Sequence, residues 1–323
     1  HLYSSLDGWK SWLWKQSIVS FIERGKGPWP VNNQLHTVQR WIALRLGGGY
    51  EDREIQSVVR VLLDAVSSLD RGQRIVNDWK PNESALDTLA RWCDRFKNGE
   101  PLQYILGESH FLGLTLTIDA RALIPRPETE ELVRALLDHQ SGKEPRHVLD
   151  IGTGSGCMAL GWKSQRPQDH VTGADVSSKA LELARENAVR LGCGDVYWLE
   201  CDVRDQDPFT GHSVPNGGWN VIMSNPPYIP VSEKETMENR VVSHEPADAL
   251  FVADNDPLCF YSAIALGCMS GQWLHAAGWL GFECHRDHAD GVASLLSAQS
   301  GWRTIQIVTD LQGAPRMVVA QKD

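Results

Sequence analysis

Hydrophobic residues recur along this chain with two different periods, and the change of period divides it. Between residues 36 and 105 the spacing is helical. Val38, Ile42, Leu44 and Leu46 form one run, ended by Gly47–Gly49. Ile55, Val58, Val59, Val61, Leu62 and Val66 form a second, and Ser84–Phe96, with Leu86, Leu89, Ala90, Trp92 and Cys93, a third. Each run leaves a helix with one apolar face to bury, and short polar loops join them. The segment therefore predicts a small helical bundle. Ahead of it, Trp9, Trp12, Trp14 and Ile18 share a helical face, and Gly25–Pro30 breaks it. Residues 1–35 read as an N-terminal extension with no assigned role.

Over residues 103–125 the period shortens to two, and residues 106–125 read as a linker. Phe111-Leu-Gly-Leu-Thr-Leu-Thr-Ile118 alternates apolar with small or polar residues, which predicts a β-hairpin linker with Gly113 at its turn or a bulge. Pro125-Arg-Pro127 stops regular structure, and Glu128–Leu137 opens a helix. Across the last domain, residues 126–323, strand, loop and helix then repeat. Strands are expected at His147–Ile151, Val171–Val176, Val196–Leu199, Trp219–Ser224, Trp279–Glu283, Thr304–Thr309 and Met317–Ala320, with an amphipathic helix at Ser178–Leu191. Alternating βα units imply an α/β domain with a parallel sheet. Asp310–Pro315 is too short for a crossover helix, so the last two strands should pair antiparallel.

Composition narrows the classes. The chain has 323 residues, 42% hydrophobic and 22% charged, as expected of two globular domains. Its apolar stretches fall short of the ~20 residues of a membrane span, so no membrane partner is expected. Seven scattered cysteines include no Cys-x-x-Cys pair, which argues against a zinc cluster, and no metal is expected. Their odd number suits a reducing, cytoplasmic compartment. The chain opens on His1, so a transit peptide removed upstream keeps a mitochondrial location as the alternative. Residues 1–120 carry 14 basic and 14 acidic groups, and the rest carry 17 and 27, hence all of the net −10. Such a surface is a poor grip for nucleic acid, which is not expected as a substrate.

Two motifs carry chemistry. Asp150-Ile-Gly-Thr-Gly-Ser-Gly156 follows a strand and precedes a helix; Gly152, Gly154 and Gly156 allow a sharp turn and close approach of a ligand. Alone, the pattern is also that of a plain strand-to-helix turn. Asp175 ends the second strand, where a carboxylate can accept both hydroxyls of a ribose. Asp202 follows the third, where it or the adjacent backbone can reach an adenine amino group. Each acid is also a plausible solvated loop charge or helix cap. No Lys or Arg sits in the glycine loop, so a cationic nucleoside without phosphate, S-adenosylmethionine, suits it better than a dinucleotide. The second motif, Asn225-Pro226-Pro227-Tyr228, ends the fourth strand. Two prolines make a rigid turn, leaving the Pro226 carbonyl and the Asn225 side-chain oxygen to accept from one NH2 group. Tyr228 would supply an aromatic wall. The plain alternative is a rigid surface turn.

Asn225–Tyr228 resembles the motif of methyltransferases that act on planar NH2 groups. Glu100-Pro-Leu-Gln-Tyr-Ile-Leu-Gly107, Phe111, Leu123-Ile-Pro-Arg-Pro-Glu-Thr-Glu-Glu-Leu132, Glu245-Pro246, Ala249–Phe251, Asp310-Leu-Gln-Gly313 and Arg316 resemble the HemK/PrmC family, the peptide chain release factor glutamine N5-methyltransferases. The resemblance covers residues 36–323; Cys284-His285 departs from a loop that carries Gly or Gln in many relatives. It implies a helical release-factor-docking domain, at 36–105 here, and a class I S-adenosylmethionine-dependent methyltransferase domain with a Rossmann-like seven-stranded sheet. It implies that Gly152, Thr153, Gly154, Ser155, Gly156 and Asp175 hold S-adenosylmethionine (and the product S-adenosylhomocysteine), with Asp202, Val203 beside adenine, and Asn225 also expected at the cofactor, and that Asn225, Pro226, Pro227 and Tyr228 hold the glutamine, Asn225 and Pro226 as the catalytic residues. The Pro125–Glu130 loop is expected over the site, with Arg126 and Glu128 either touching a ligand or forming an ion pair at the helix start. His244 is a candidate proton relay. A single chain is expected to act alone. The rival is a DNA adenine N6-methyltransferase, which needs a basic, base-flipping surface.

Overall fold

A computed structural model describes residues 29–47, 50–270 and 272–323; the Trp9–Ile18 helical face lies outside them. The chain divides after Leu106 into two units. In the first, the described residues form five helices: α1 (Leu35–Leu46), α2 (Asp52–Ser67), α3 (Arg71–Val76), α4 (Glu83–Lys97) and α5 (Leu102–Leu106). Side chains secure the N-termini of two of them. Asp70 and Gln73 form a reciprocal capping box at α3, and Asn82 accepts from Ala85 N–H at α4. Val38, Ile42, Leu46, Leu62, Leu63 and Leu89 share the core. Leu44 is exposed instead, because it stands about 200° round the helix from Ile42, and Trp41 takes a core place. Residues 103–106, read from sequence as the start of the strand region, complete α5.

The second unit opens with the hairpin β1 (Glu108–Phe111) and β2 (Leu114–Thr117), paired antiparallel with Phe111 opposite Leu114. Leu112 (φ 48°) and Gly113 (φ 80°) are both left-handed, as a two-residue turn that follows the strand twist requires. The hairpin belongs to the second unit, because Phe111 and Leu116 are buried in that unit's core.

There follow α6 (Pro127–Asp138), β3 (His147–Ile151), α7 (Cys157–Gln165), β4 (His170–Asp175), α8 (Ser178–Arg190), β5 (Tyr197–Glu200) and β6 (Trp219–Ser224). Beyond the sheet edge, β7 (Ile229–Pro230) and β8 (Phe251–Val252) pair in parallel, with α9 (Asn239–His244) between them in sequence. The chain ends with α10 (Cys259–Met269), β9 (Leu274–Glu283), α11 (Ala289–Ser297), β10 (Trp302–Thr309) and β11 (Pro315–Lys322). One seven-stranded sheet results, in the order β10-β11-β9-β6-β3-β4-β5. All neighbours are parallel except those of β11, which runs against both β9 and β10. The antiparallel final pair is as expected. Strand residues alternate between faces. Leu149, Ile222, Leu280 and Phe282 bury under α10 and α11. Val148, Val221, Met223 and Val319 bury under α6, α7 and α8. This is the class I methyltransferase architecture.

A buried asparagine on α8 joins three parts of the unit. Asn187 Oδ1 accepts from Thr117 N–H (2.7 Å), and its Nδ2 donates to the carbonyls of Thr117 and Ser155 (both 3.0 Å). Asn187→Leu keeps the volume but strands these backbone groups away from water. It is expected to lower unfolding stability by about 2–4 kcal/mol, measured by urea denaturation; a loss below about 0.5 kcal/mol would refute the anchoring role.

Candidate active site

Chain order and sheet order disagree at one place, and the site lies there. From β3 the chain moves outward through β4 to β5, then returns to place β6 on the other side of β3. The loops after β3 and β6 thus diverge from adjacent strand ends and leave a crevice at the carboxyl edge, where open α/β sheets bind ligands. Register fixes the two loops side by side: Ile151 pairs with Ser224, and the Ser224 hydroxyl donates to the Ile151 carbonyl (2.8 Å).

The glycine loop leaves β3 through three left-handed residues, Gly152 (φ 71°), Gly154 (φ 54°) and Gly156 (φ 82°). A side chain at these angles would be strained. The loop is held from beneath. Asp150 Oδ2 accepts from Thr153 Oγ1 (2.6 Å) and Ala159 N–H (3.0 Å), while Gly152 and Thr153 N–H both donate to the Ala174 carbonyl. Burial pushes the Asp150 carboxyl up to about 7 against these two hydrogen bonds.

Asp175 stands at the end of β4 with one oxygen on each neighbouring turn. Oδ2 accepts from Gly154 N–H and Oδ1 from Ser177 N–H, both at 2.9 Å. A carboxylate has about four acceptor sites, so capacity is left for a hydroxyl donor. Burial raises its pKa, opposed by the backbone donors. Asp202 is engaged differently. Arg204 chelates it through Nε (2.9 Å) and Nη2 (2.6 Å), and its own backbone N–H adds a third bond. Of the two routes to adenine foreseen at this position, the carboxylate is occupied by Arg204 and the neighbouring backbone remains. Val203 is buried against Ile151, Ala174 and Leu199, as an apolar floor for that end of the crevice.

The proline corner leaves β6 beside the glycine loop. A Cβ built on Gly152 would meet the Asn225 carbonyl at 3.9 Å, and one on Gly154 would meet Ala122 Cβ at 3.8 Å. A side chain at either glycine would thus lie in contact with the proline corner or with Ala122. Pro226 is buried, while Asn225, Pro227 and Tyr228 are half-buried. Asn225 Nδ2 donates to Thr129 Oγ1 (3.3 Å). Thr129 Oγ1 in turn donates to Glu283 Oε2 (2.6 Å). Among the described residues, Asn225 Oδ1 and the Pro226 carbonyl accept no hydrogen bond. Tyr228 packs against the core, 6.2 Å from the His285 ring, and burial pushes its hydroxyl up to about 12.

Two expectations around the site change. Arg126 forms no pair at its own helix start; it reaches Glu245 Oε1 (2.6 Å), whose other oxygen accepts from Ile124 N–H (3.1 Å). Glu245 is buried, so it straps the Leu123–Pro127 segment to the loop after α9. The His244 ring contacts the Arg240 carbonyl through Nδ1 (3.2 Å), a bond within its own helix that suits a structural residue better than a relay.

These residues fit S-adenosylmethionine. The glycine cradle is open and uncharged, a carboxylate with spare acceptor sites stands beside it, and an apolar floor adjoins both. A family model for the PrmC N-terminal domain matches residues 37–107, and one for the methyltransferase small domain matches residues 128–248. A release factor glutamine methyltransferase of Flavobacterium psychrophilum is 34% identical over 273 residues, spanning 83% of this chain and 92% of that protein. Those of Deinococcus radiodurans (36% over 275 residues; 81% and 90%) and Bacteroides thetaiotaomicron (35% over 228; 71% and 78%) are equally near. The chain belongs to the release factor glutamine methyltransferase family. It is an S-adenosylmethionine-dependent methyltransferase. Among solved structures, the delta-N METTL16 MTase domain overlies 65% of this chain and 89% of its own, with 16% identity and a TM-score of 0.49.

Sequence reasoning assigned no role in the site to Thr129, Ser224, Glu245 or Glu283, although Thr129 and Glu245 lie in motifs it singled out. One signal was available. Glu283 ends an apolar strand with an acid, as Asp175 does and Asp150 nearly does, and acids at that sheet edge are costly unless employed.

Burial pushes the Glu283 carboxyl up to about 7 from 4.5, with Thr129 and Arg316 opposing. The folded chain thus holds a proton that the unfolded chain has released, so stability is lost as pH rises from about 4.5 through 7. The loss is at most about 3 kcal/mol. Glu283→Gln cannot titrate. Between pH 5 and 8 its urea midpoint should fall less than the wild-type midpoint; parallel pH curves would refute the assignment.

Proposed function

We propose that this enzyme transfers the methyl group of S-adenosylmethionine to the side-chain amide nitrogen, N5, of the glutamine in a release factor's Gly-Gly-Gln motif. The observation that carries the reading is the pair of unengaged acceptors, Asn225 Oδ1 and the Pro226 carbonyl, on a rigid corner beside the glycine loop. The relatives' shared name points to the same substrate.

An amide nitrogen is a poor nucleophile because its lone pair is delocalised into the carbonyl. In this reading Asn225 and Pro226 accept its two hydrogens and hold it in one orientation. Tyr228 and Pro227 confine the planar group. The bound cofactor supplies an electrophilic methyl on a sulfonium. The protein's part is positioning, at a near-attack distance of about 3–3.5 Å, which can contribute several kcal/mol. Charge disperses during transfer, so the apolar floor and the Arg126–Glu245 strap help by limiting water. One amide proton leaves to water after transfer.

All the proposed site residues, Gly152–Gly156, Asp175, Asp202, Val203 and Asn225–Tyr228, come from one unit of one chain, which supports action as a monomer. The excess of acidic groups beyond residue 120 supports a protein substrate over nucleic acid. Among the described residues no helix is long and apolar enough to cross a membrane. Translation sets the compartment in this reading: the cytoplasm, or the mitochondrion.

Asn225→Ala should lower turnover about 100-fold or more, the usual cost of a misplaced reactant, with S-adenosylhomocysteine affinity within a few fold. Mass spectrometry of the release-factor glutamine, with a Gln→Ala factor and duplex DNA as control substrates, measures it. Unchanged turnover, or methyl appearing on DNA, would defeat the reading. Asp175→Ala should weaken cofactor binding by about 1–3 kcal/mol through lost charged hydrogen bonds; calorimetry giving native affinity would remove it from the site.

A further inference from the structure

The Asn225 side chain has two orientations of nearly equal shape. One offers its oxygen to a substrate NH2 group, and the other offers a second NH2 group, which repels it. Nothing in Asn225 itself chooses between them. The choice is made on the side facing away from the crevice.

Glu283 is reached by strand pairing. Ser224 of β6 and Phe282 of β9 are parallel partners, so Asn225 and Glu283, the next residue of each strand, emerge side by side. Thr129, in the first turn of α6, stands between them. Thr129 and Glu283 are both fully buried, so no water is available to share their hydrogen bonds. A threonine hydroxyl has one hydrogen, and here it is donated to Glu283 Oε2 at 2.6 Å. Toward Asn225 the hydroxyl therefore has only lone pairs. Nδ2 must face it, and Oδ1 must face the crevice.

We infer that Glu283 and Thr129 are positioning residues that set the polarity of the Asn225 amide, and so make it an acceptor for the substrate's NH2 group. This rests on the reading of Asn225 given above. The ionised carboxylate, which can only accept, is suited to the task. A glutamine is not suited. Its NH2 group finds an acceptor only at the Thr129 oxygen, and donating there turns the hydroxyl toward Asn225 as a donor. The Asn225 amide then reverses.

The plain alternative is that the Thr129–Glu283 bond only ties α6 to the sheet. Glu283→Gln separates the two, because it keeps volume and a hydrogen bond to Thr129 while reversing direction. With release factor as substrate, Glu283→Gln and Thr129→Val should each lower kcat about 10-fold or more, with KM and S-adenosylhomocysteine affinity within about 3-fold. Thr129→Ser, which restores the hydroxyl, should return kcat to within about 3-fold of wild type. Combined with Asn225→Ala, neither Glu283→Gln nor Thr129→Val should add more than about 3-fold, since both act through that amide. Glu283→Gln at wild-type kcat overturns the inference, as does an undiminished further loss in the Asn225→Ala background. Should Thr129→Val fail to bind S-adenosylhomocysteine, Glu283→Gln alone decides. The two levels of reading fail differently. A fully active Asn225→Ala enzyme sinks both, whereas an inactive one beside a fully active Glu283→Gln sinks only the relay.

Discussion

Parallel pairing of β3 with β6 places the two halves of the site against each other, and the Ser224 hydroxyl locks their ends by donating to the Ile151 carbonyl. The glycine loop and the proline corner lie about 70 residues apart in the chain but leave adjacent strands at the same edge. Their separation is therefore set by strand spacing, which backbone hydrogen bonds hold far more tightly than any loop could. A rigid donor cradle and a rigid acceptor corner on one sheet edge are what positioning an unreactive nitrogen requires.

Much of this was legible from residue patterns. The Trp219–Ser224 strand matches residue for residue, and the reversed last pair follows from the short Asp310–Pro315 connection. Period alone misled where it could not see three dimensions. Leu44 fits a hydrophobic run yet faces solvent, since a run fixes composition and only the angle fixes the face. Helix α5 was hidden because five residues are too few for a period. The hairpin looked like a linker because its anchor is remote: Asn187 sits 70 residues from Thr117.

In the site, residues that face the crevice were easier to name than those behind it. Asp175 and Asn225 announce themselves by standing after strands. Glu283 and Thr129 act on Asn225 from within the fold, and Glu245 secures a loop from a position over 100 residues away. Such partners become visible only once strands are in register. Asp202 shows the opposite case: its position invites a ligand role, but Arg204, two residues on, satisfies its carboxylate locally.

The buried amide of Asn187 has a dynamic consequence. It bonds to β2 on one side and to the Ser155 carbonyl in the glycine loop on the other. If the hairpin peels away, Asn187 loses two of its three bonds and its hold on the loop loosens with them. Local opening of the two segments is then one cooperative event rather than two. In hydrogen exchange, the amides of β2 and of the cradle should report a common opening free energy, and a ligand that stiffens the cradle should slow exchange in a hairpin it never touches.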